Sequence, residues 1–164
     1  MPRRVFVTVG TTSFDELIAA TTTPQFAQTL AALGFGALRL QVGRGAAPPD
    51  GFDWFRFSPT IADEMRQAGV VISHAGAGSI LEALELGKKL VVCANDALMD
   101  NHQLELAAAL EARGHVIVAR GVGDLGAALG RVVEARIVPY APGDAEPFRA
   151  LVDGEMRTSR CSIC

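Results

Sequence analysis

The apolar residues of this chain fall into short, nearly unbroken runs. Residues 5–9, 38–42, 70–73, 90–94 and 116–119 are rich in Val, Ile and Leu and hardly alternate with polar positions. Strict alternation marks a strand wetted on one face, whereas a continuous run of this length suits a strand covered on both, as in a parallel sheet. Residues 54–57 form a weaker candidate strand. Between the runs lie helix-length segments with repeated punctuation. Ser13…Glu16, Thr60…Asp63, Ser79…Glu82 and Asp100…Gln103 each set a capping oxygen three residues before an acid or amide. Gly34, Gly69, Gly87 and Gly114 supply matching stops, since glycine enters a left-handed C′ conformation cheaply. Pro24 is expected to split or shorten the first helical segment. Residues 122–135 read as one more helix, and 144–156 are a candidate for the last. Strands alternating with helices predict an α/β fold, a doubly wound parallel sheet with helices on both faces.

Composition narrows the class. The chain has 164 residues, enough for one domain, here taken as residues 1–157 with a tail over 158–164. Hydrophobic residues make up 49% and mean hydropathy is +0.26. The longest uncharged stretch, 17–38, contains Pro24, Gly34, Gly36 and four threonines, a poor composition for a membrane span. The apolar run after Arg4 is too short for a signal-peptide core. Three cysteines, two of them in the last four residues, give no disulfide framework. A net charge of −3 argues against nucleic acid as the main partner. The apolar surplus suggests a surface covered by a protein partner.

In a doubly wound sheet, ligands bind at the carboxyl ends of the strands. Gly10-Thr11-Thr12-Ser13 follows the first run and Gly43-Arg44-Gly45 the second. His74-Ala75-Gly76-Ala77-Gly78-Ser79 follows the run at 70–73, and Asp100-Asn101-His102-Gln103 opens a helix after the run at 90–94. Small-residue turns against helix N-termini offer free N–H groups to an anion, and two of them converging would cradle a diphosphate without a metal. A tight βα turn with no ligand is the plain alternative for each one alone. Gly76-x-Gly78 with Asp96 partly imitates a dinucleotide fingerprint, but Leu81 stands at the third glycine position. No phosphate loop ending in Gly-Lys-Ser/Thr, no Gly-x-Ser-x-Gly elbow and no His-Glu-x-x-His occurs.

Four motifs in order carry a family resemblance. They are Val5-Phe6-Val7-Thr8-Val9-Gly10-Thr11-Thr12-Ser13-Phe14-Asp15, Gln41-Val42-Gly43-Arg44-Gly45, Val71-Ile72-Ser73-His74-Ala75-Gly76-Ala77-Gly78-Ser79 and Asn101-His102-Gln103-Leu104-Glu105-Leu106-Ala107. Over about residues 5–148 the chain resembles the catalytic subunits of the UDP-N-acetylglucosamine transferase of asparagine-linked glycosylation. It resembles more distantly the donor-binding half of the bacterial enzyme that makes lipid II. The resemblance implies one Rossmann-like half of a GT-B glycosyltransferase. Such an enzyme transfers N-acetylglucosamine, with inversion, from UDP-N-acetylglucosamine to N-acetylglucosaminyl-diphosphodolichol. It would do so without a metal, at the cytosolic face of the endoplasmic reticulum, with a membrane-anchored subunit that holds the lipid-linked acceptor.

Residue by residue, the resemblance assigns Gly10, Thr11 and Thr12 to the donor diphosphate, together with Gly76, Ala77, Gly78 and Ser79. A helix beginning near Ser79 would point at the departing UDP. Glu82 would hold the ribose hydroxyls, although it also fits as the partner of Ser79 in a capping box. Asn101, His102 and Gln103 would read the transferred sugar, and Gln103 fits equally as a cap. His74 is a candidate general base, with a packed histidine as the alternative; in the related one-chain enzymes the candidate base lies in the acceptor half. Arg44 could meet phosphate or partner, or be a solvated loop residue. His115 and Cys93 read as structural. The ending Cys161-Ser162-Ile163-Cys164 loosely fits a prenylation box. A non-catalytic nucleotide-binding module is the rival reading, and a dehydrogenase comes third.

Overall fold

Runs that are apolar on both faces need cover on both faces, and the computed structural model, which describes residues 3–94 and 101–141 and only the backbone of Asn101, supplies it. Six strands form one sheet: β1 (Arg3–Thr8), β2 (Phe35–Gln41), β3 (Asp53–Phe55), β4 (Val70–His74), β5 (Lys89–Cys93) and β6 (Ile117–Ala119). All pair in parallel in the order β3-β2-β1-β4-β5-β6. Among the described residues six helices flank them, five between strands and one after the last: α1 (Asp15–Thr21), α2 (Pro24–Ala32), α3 (Ile61–Gln67), α4 (Ala77–Glu85), α5 (Asn101–Ala112) and α6 (Leu125–Glu134). The chain winds outward from β1 to β3, then returns to place β4 on the other flank of β1. That reversal opens a crevice at the carboxyl ends of β1 and β4.

Alternate residues of each strand point to opposite faces, and each face has its own core. Val5, Val7, Ile72, Val91 and Cys93 pack with Leu17, Phe26, Leu30, Leu129 and Val132 of α1, α2 and α6. Phe6, Val71, Leu90 and Val92 pack with Met65, Ile80, Leu84, Leu106 and Leu110 of α3, α4 and α5. Cys93 is thus a core side chain, as its place in an apolar run suggests. His115 is also structural: its Nδ1 lies 2.9 Å from the Val138 carbonyl, and its ring meets Tyr140 edge-on.

Several local expectations shift. The weak strand candidate is a three-residue edge strand over Asp53–Phe55 rather than 54–57. Pro24 does split the first helical segment; Thr23 Oγ1 accepts from the Phe26 N–H at 3.1 Å, and Pro24, lacking an N–H, stands where none is needed. The segment 122–135 is a 3-10 turn (Val122–Asp124) leading into α6. Ser13 and Thr60 make no side-chain cap: α1 begins one residue later, behind Phe14, and Thr60 sits at the N-cap of α3 with its hydroxyl 3.4 Å from Ser58 Oγ rather than on a helix N–H. Gly34, Gly87 and Gly114 follow their helices with positive φ, but Gly69 does not. After α3 the backbone turns extended at Ala68, and the Gly69 N–H donates to the Arg4 carbonyl at 2.8 Å, opening the strand directly. Asp96, Asp100, the 144–156 helix candidate and the cysteine-containing ending lie outside the described residues.

Two consecutive lysines tie the helices to the end of the sheet opposite the crevice. Lys88 Nζ donates to the carbonyls of Arg66 and Ala68 at the end of α3, at 2.7 and 3.0 Å. Lys89 Nζ donates to those of Val133 and Ala135 at the end of α6, at 2.7 and 3.2 Å. Neighbouring side chains point to opposite faces, so each satisfies orphan carbonyls on a different layer. The outer edge of β6 is closed as well. Val118 N–H donates to Glu111 Oε1 at 2.9 Å, and Val118 C=O accepts from Arg131 at 3.3 Å.

Lys89→Met keeps the aliphatic stem but removes both charge-assisted bonds, and it should lower the unfolding free energy by about 1–3 kcal/mol. Urea denaturation checks this. An unchanged midpoint and slope would mean that water serves those carbonyls equally well.

Candidate functional site

At Gly10 and Gly76 the backbone of the crevice leaves no room for a side chain. Gly10 has φ +63°, and a Cβ there would lie 2.9 Å from Cε1 of His74 and 3.6 Å from Ser79 Oγ. Gly76 presses on the same edge of the imidazole; a Cβ there would clash with Nε2 and lie 2.6 Å from Cε1. The turns after β1 and β4, named separately by the sequence, therefore both close on His74. A third turn supports them. Gly43 has φ +55°, and its Cβ would collide with the Thr12 carbonyl and lie 3.0 Å from that of Gly10. Arg44 N–H donates to the Thr12 carbonyl at 3.0 Å.

The second turn opens α4 earlier than expected. Gly76 is the N-cap and Ala77 the first helical residue, so Ser79 lies inside the first turn and the capping box it would form with Glu82 does not exist. The first backbone bond of the helix runs from Ile80 N–H to Gly76 C=O at 3.1 Å, and no side chain caps this end. The N–H groups of Ala77, Gly78 and Ser79 thus have no partner among the described residues, and no acid stands in the first turn. These are the conditions under which a helix N-terminus takes an anion. Glu82 is half-buried one turn beyond Ser79 on the same side of the helix, freed from capping duty.

His74 ends β4 and is partly buried, with its Nδ1 shielded from water and without a regular hydrogen bond. Burial lowers its pKa, and the backbone of Thr8 pulls more weakly the other way. A neutral imidazole is the resting state. Arg44 is exposed, and its guanidinium makes no hydrogen bond or ion pair among the described residues. The loop that carries it is fastened by Arg56, whose guanidinium donates to the carbonyls of Gly43 at 3.2 Å and Gly45 at 2.7 Å. Asp15 adds a bond from Ala46 N–H at 2.9 Å.

Asn101, His102 and Gln103 occupy the first turn of α5, which starts at the same sheet edge two strands from β1. His102 and Gln103 are half-buried, and His102 Nδ1 lies 3.9 Å from Glu105 Oε2, a weak i,i+3 pairing. Beneath the turns lies a row of polar residues in register across three strands: Gln41, Thr8 and Ser73, all buried. Thr8 Oγ1 bonds Gln41 Oε1, and Gly10 N–H donates to Thr8 Oγ1 at 3.0 Å. Ser73 Oγ donates to the His74 carbonyl at 2.7 Å. Sequence reading missed this row, Gly43 as a steric element and Arg56. The signal available was three polar residues interrupting apolar runs at the carboxyl end of each.

This architecture is that of one half of a GT-B glycosyltransferase. The fold matches the glycosyltransferase SnogD from Streptomyces nogalater with a TM-score of 0.60 and 21% identity, covering 96% of this chain and 40% of that one. More narrowly, the chain belongs to the glycosyltransferase family 28 C-terminal domain family, whose pattern spans residues 4–141. It is 50% identical over 119 residues to the human UDP-N-acetylglucosamine transferase subunit ALG13, covering 68% of this chain but only 10% of that protein. The ALG13 subunit of Eremothecium gossypii is 32% identical over 186 residues, and 92% of each chain is covered. The solution structure of an ALG13 protein matches with a TM-score of 0.70 and 28% identity, over 92% of this chain and 94% of that one.

Because burial lowers the His74 pKa, the unfolded chain takes up this proton at a higher pH than the folded one. The folded state is therefore fully favoured above the ordinary imidazole range and loses stability as pH falls through it. An NMR titration should find the His74 midpoint below that of an exposed histidine. His74→Gln should flatten the stability–pH slope there, and a midpoint in or above the ordinary range would contradict the assignment.

Proposed function

We propose that this chain is the donor-binding half of a split, inverting glycosyltransferase that carries N-acetylglucosamine from UDP-N-acetylglucosamine to N-acetylglucosaminyl-diphosphodolichol. The observation that carries the reading is the uncapped N-terminus of α4 closing with the Gly10 turn around one imidazole. The names of the relatives support the donor, and the family supports the reaction class. The acceptor and the membrane partner rest on the sequence resemblance. The partner subunit, anchored at the cytosolic face of the endoplasmic reticulum, would hold the acceptor opposite the crevice.

On this reading the diphosphate lies between the Thr11 and Thr12 turn and the N–H groups of Ala77, Gly78 and Ser79. A sugar hydroxyl of the acceptor attacks the anomeric carbon from the face opposite the leaving group, and UDP departs with both electrons of the broken bond. Charge grows on the diphosphate as that bond breaks, and helix dipole and free N–H groups are already oriented to meet it. No metal is needed for that task. Glu82 accepts from the ribose hydroxyls, Asn101, His102 and Gln103 read the sugar, and Arg44 meets phosphate or the partner. The proton of the attacking hydroxyl goes to a base on the partner or, as the second choice, to the neutral His74.

The isolated chain should bind UDP-N-acetylglucosamine yet show no transfer, and co-expression with its membrane subunit should restore turnover on lipid-linked N-acetylglucosamine. Efficient transfer by the chain alone would refute the split. Glu82→Gln, which removes a charge without disturbing a cap, should leave the melting temperature unchanged. By calorimetry it should weaken UDP binding by about tenfold or more; unaltered affinity would remove the ribose assignment.

A further inference from the structure

We infer that Gln41 and Thr8 are positioning residues: a buried relay that sets the Gly10 turn and thereby the affinity for a nucleoside diphosphate. The inference rests on the donor-binding reading above and names part of its mechanism. Thr8 is fully buried and Gln41 is 3% exposed, one residue layer beneath the turn. Valine would fill the Thr8 position equally well, since its shape is nearly the same, and Val5, Val7 and Val9 do so in the same segment. A hydroxyl and an amide buried in an apolar sheet are a cost unless each finds a partner.

The donors and acceptors fix the direction of the relay. Gly10 N–H can only donate, so Thr8 Oγ1 accepts from it. The hydroxyl proton then needs an acceptor, and Gln41 Oε1 is that acceptor. Gln41 thus holds the proton of Thr8 on the side away from the turn, and a lone pair faces Gly10. The Gly10 peptide is thereby turned down into the sheet. Other bonds fix the rest of the turn: Thr12 Oγ1 donates to the Val9 carbonyl at 3.0 Å, and the Thr12 carbonyl accepts from Arg44 N–H at 3.0 Å. Within the turn, the N–H groups of Thr11, Thr12 and Ser13 have no partner among the described residues. The backbone of Thr8 also acts on His74, so one residue bears on both flanks of the crevice.

The test uses the full chain, its Thr8→Val, Thr8→Ser and Gln41→Met variants, and UDP as the probe. By calorimetry, Thr8→Val should raise the UDP dissociation constant about tenfold or more, while Thr8→Ser, which keeps the hydroxyl, should stay within about threefold. Gln41→Met should weaken UDP binding in the parent chain but add nothing in a Thr8→Val background, because the two act as one unit. Amide hydrogen exchange gives a readout without ligand: the Gly10 N–H should be protected in the unaltered chain and exchange freely in Thr8→Val. A folded Thr8→Val variant with unaltered UDP affinity would overturn the relay and leave the donor reading standing. Failure of the unaltered chain to bind UDP would remove both. Should Thr8→Val not fold, free exchange of Gly10 in the unaltered chain would still overturn the inference.

Discussion

Two backbone turns meet around His74 at a spacing that excludes any Cβ at Gly10 or Gly76, and the rest of the candidate site follows from that approach. A side chain at either position would push the β1 turn and the start of α4 apart, and the N–H groups on the two sides could no longer serve one anion. The parallel register sets the level at which they meet: Gln41, Thr8 and Ser73 stand side by side, so the turns that follow leave the sheet at a common height. Gly43 repeats the device one strand further out, where its lack of a side chain lets the second loop brace the first.

The two ends of the sheet are treated differently. At the amino end of β5, Lys88 and Lys89 consume carbonyls of two helices on opposite faces. At the carboxyl end the N–H groups of Ala77, Gly78 and Ser79 find no partner among the described residues. The polar groups that tie the helices down and those of the candidate site are therefore separate sets, with the two apolar cores between them. The free groups of the crevice are a local cost that the closed far end can sustain.

Much of this was legible beforehand for physical reasons. Strands buried on both faces leave unbroken apolar runs, and five such runs became β1, β2, β4, β5 and β6. Small residues behind them located the turns at Gly10, Gly43 and Gly76. Helix starts were read less well. Ser13 and Ser79 have good capping chemistry, but a helix begins where tertiary packing places its first turn, and at α4 the chain uses bare Gly76 instead. Gly69 looked like a helix stop and proved to open a strand. The polar row was harder still. Gln41 and Ser73 lie 33 and 65 residues beyond Thr8 along the chain, and only the register brings the three together, which no single run reveals. Arg56 acts through backbone carbonyls, and a lone arginine beside Trp54 gives no hint of that.

Edge strands offer unpaired N–H and C=O groups on which other chains can build. In β6 the outward groups of Val118 are occupied by Glu111 and Arg131, side chains of the two helices that flank it. The sheet carries its own stopper. Along that rim a foreign strand would find the groups of Val118 already taken, so it could not extend the sheet there without first displacing two side chains.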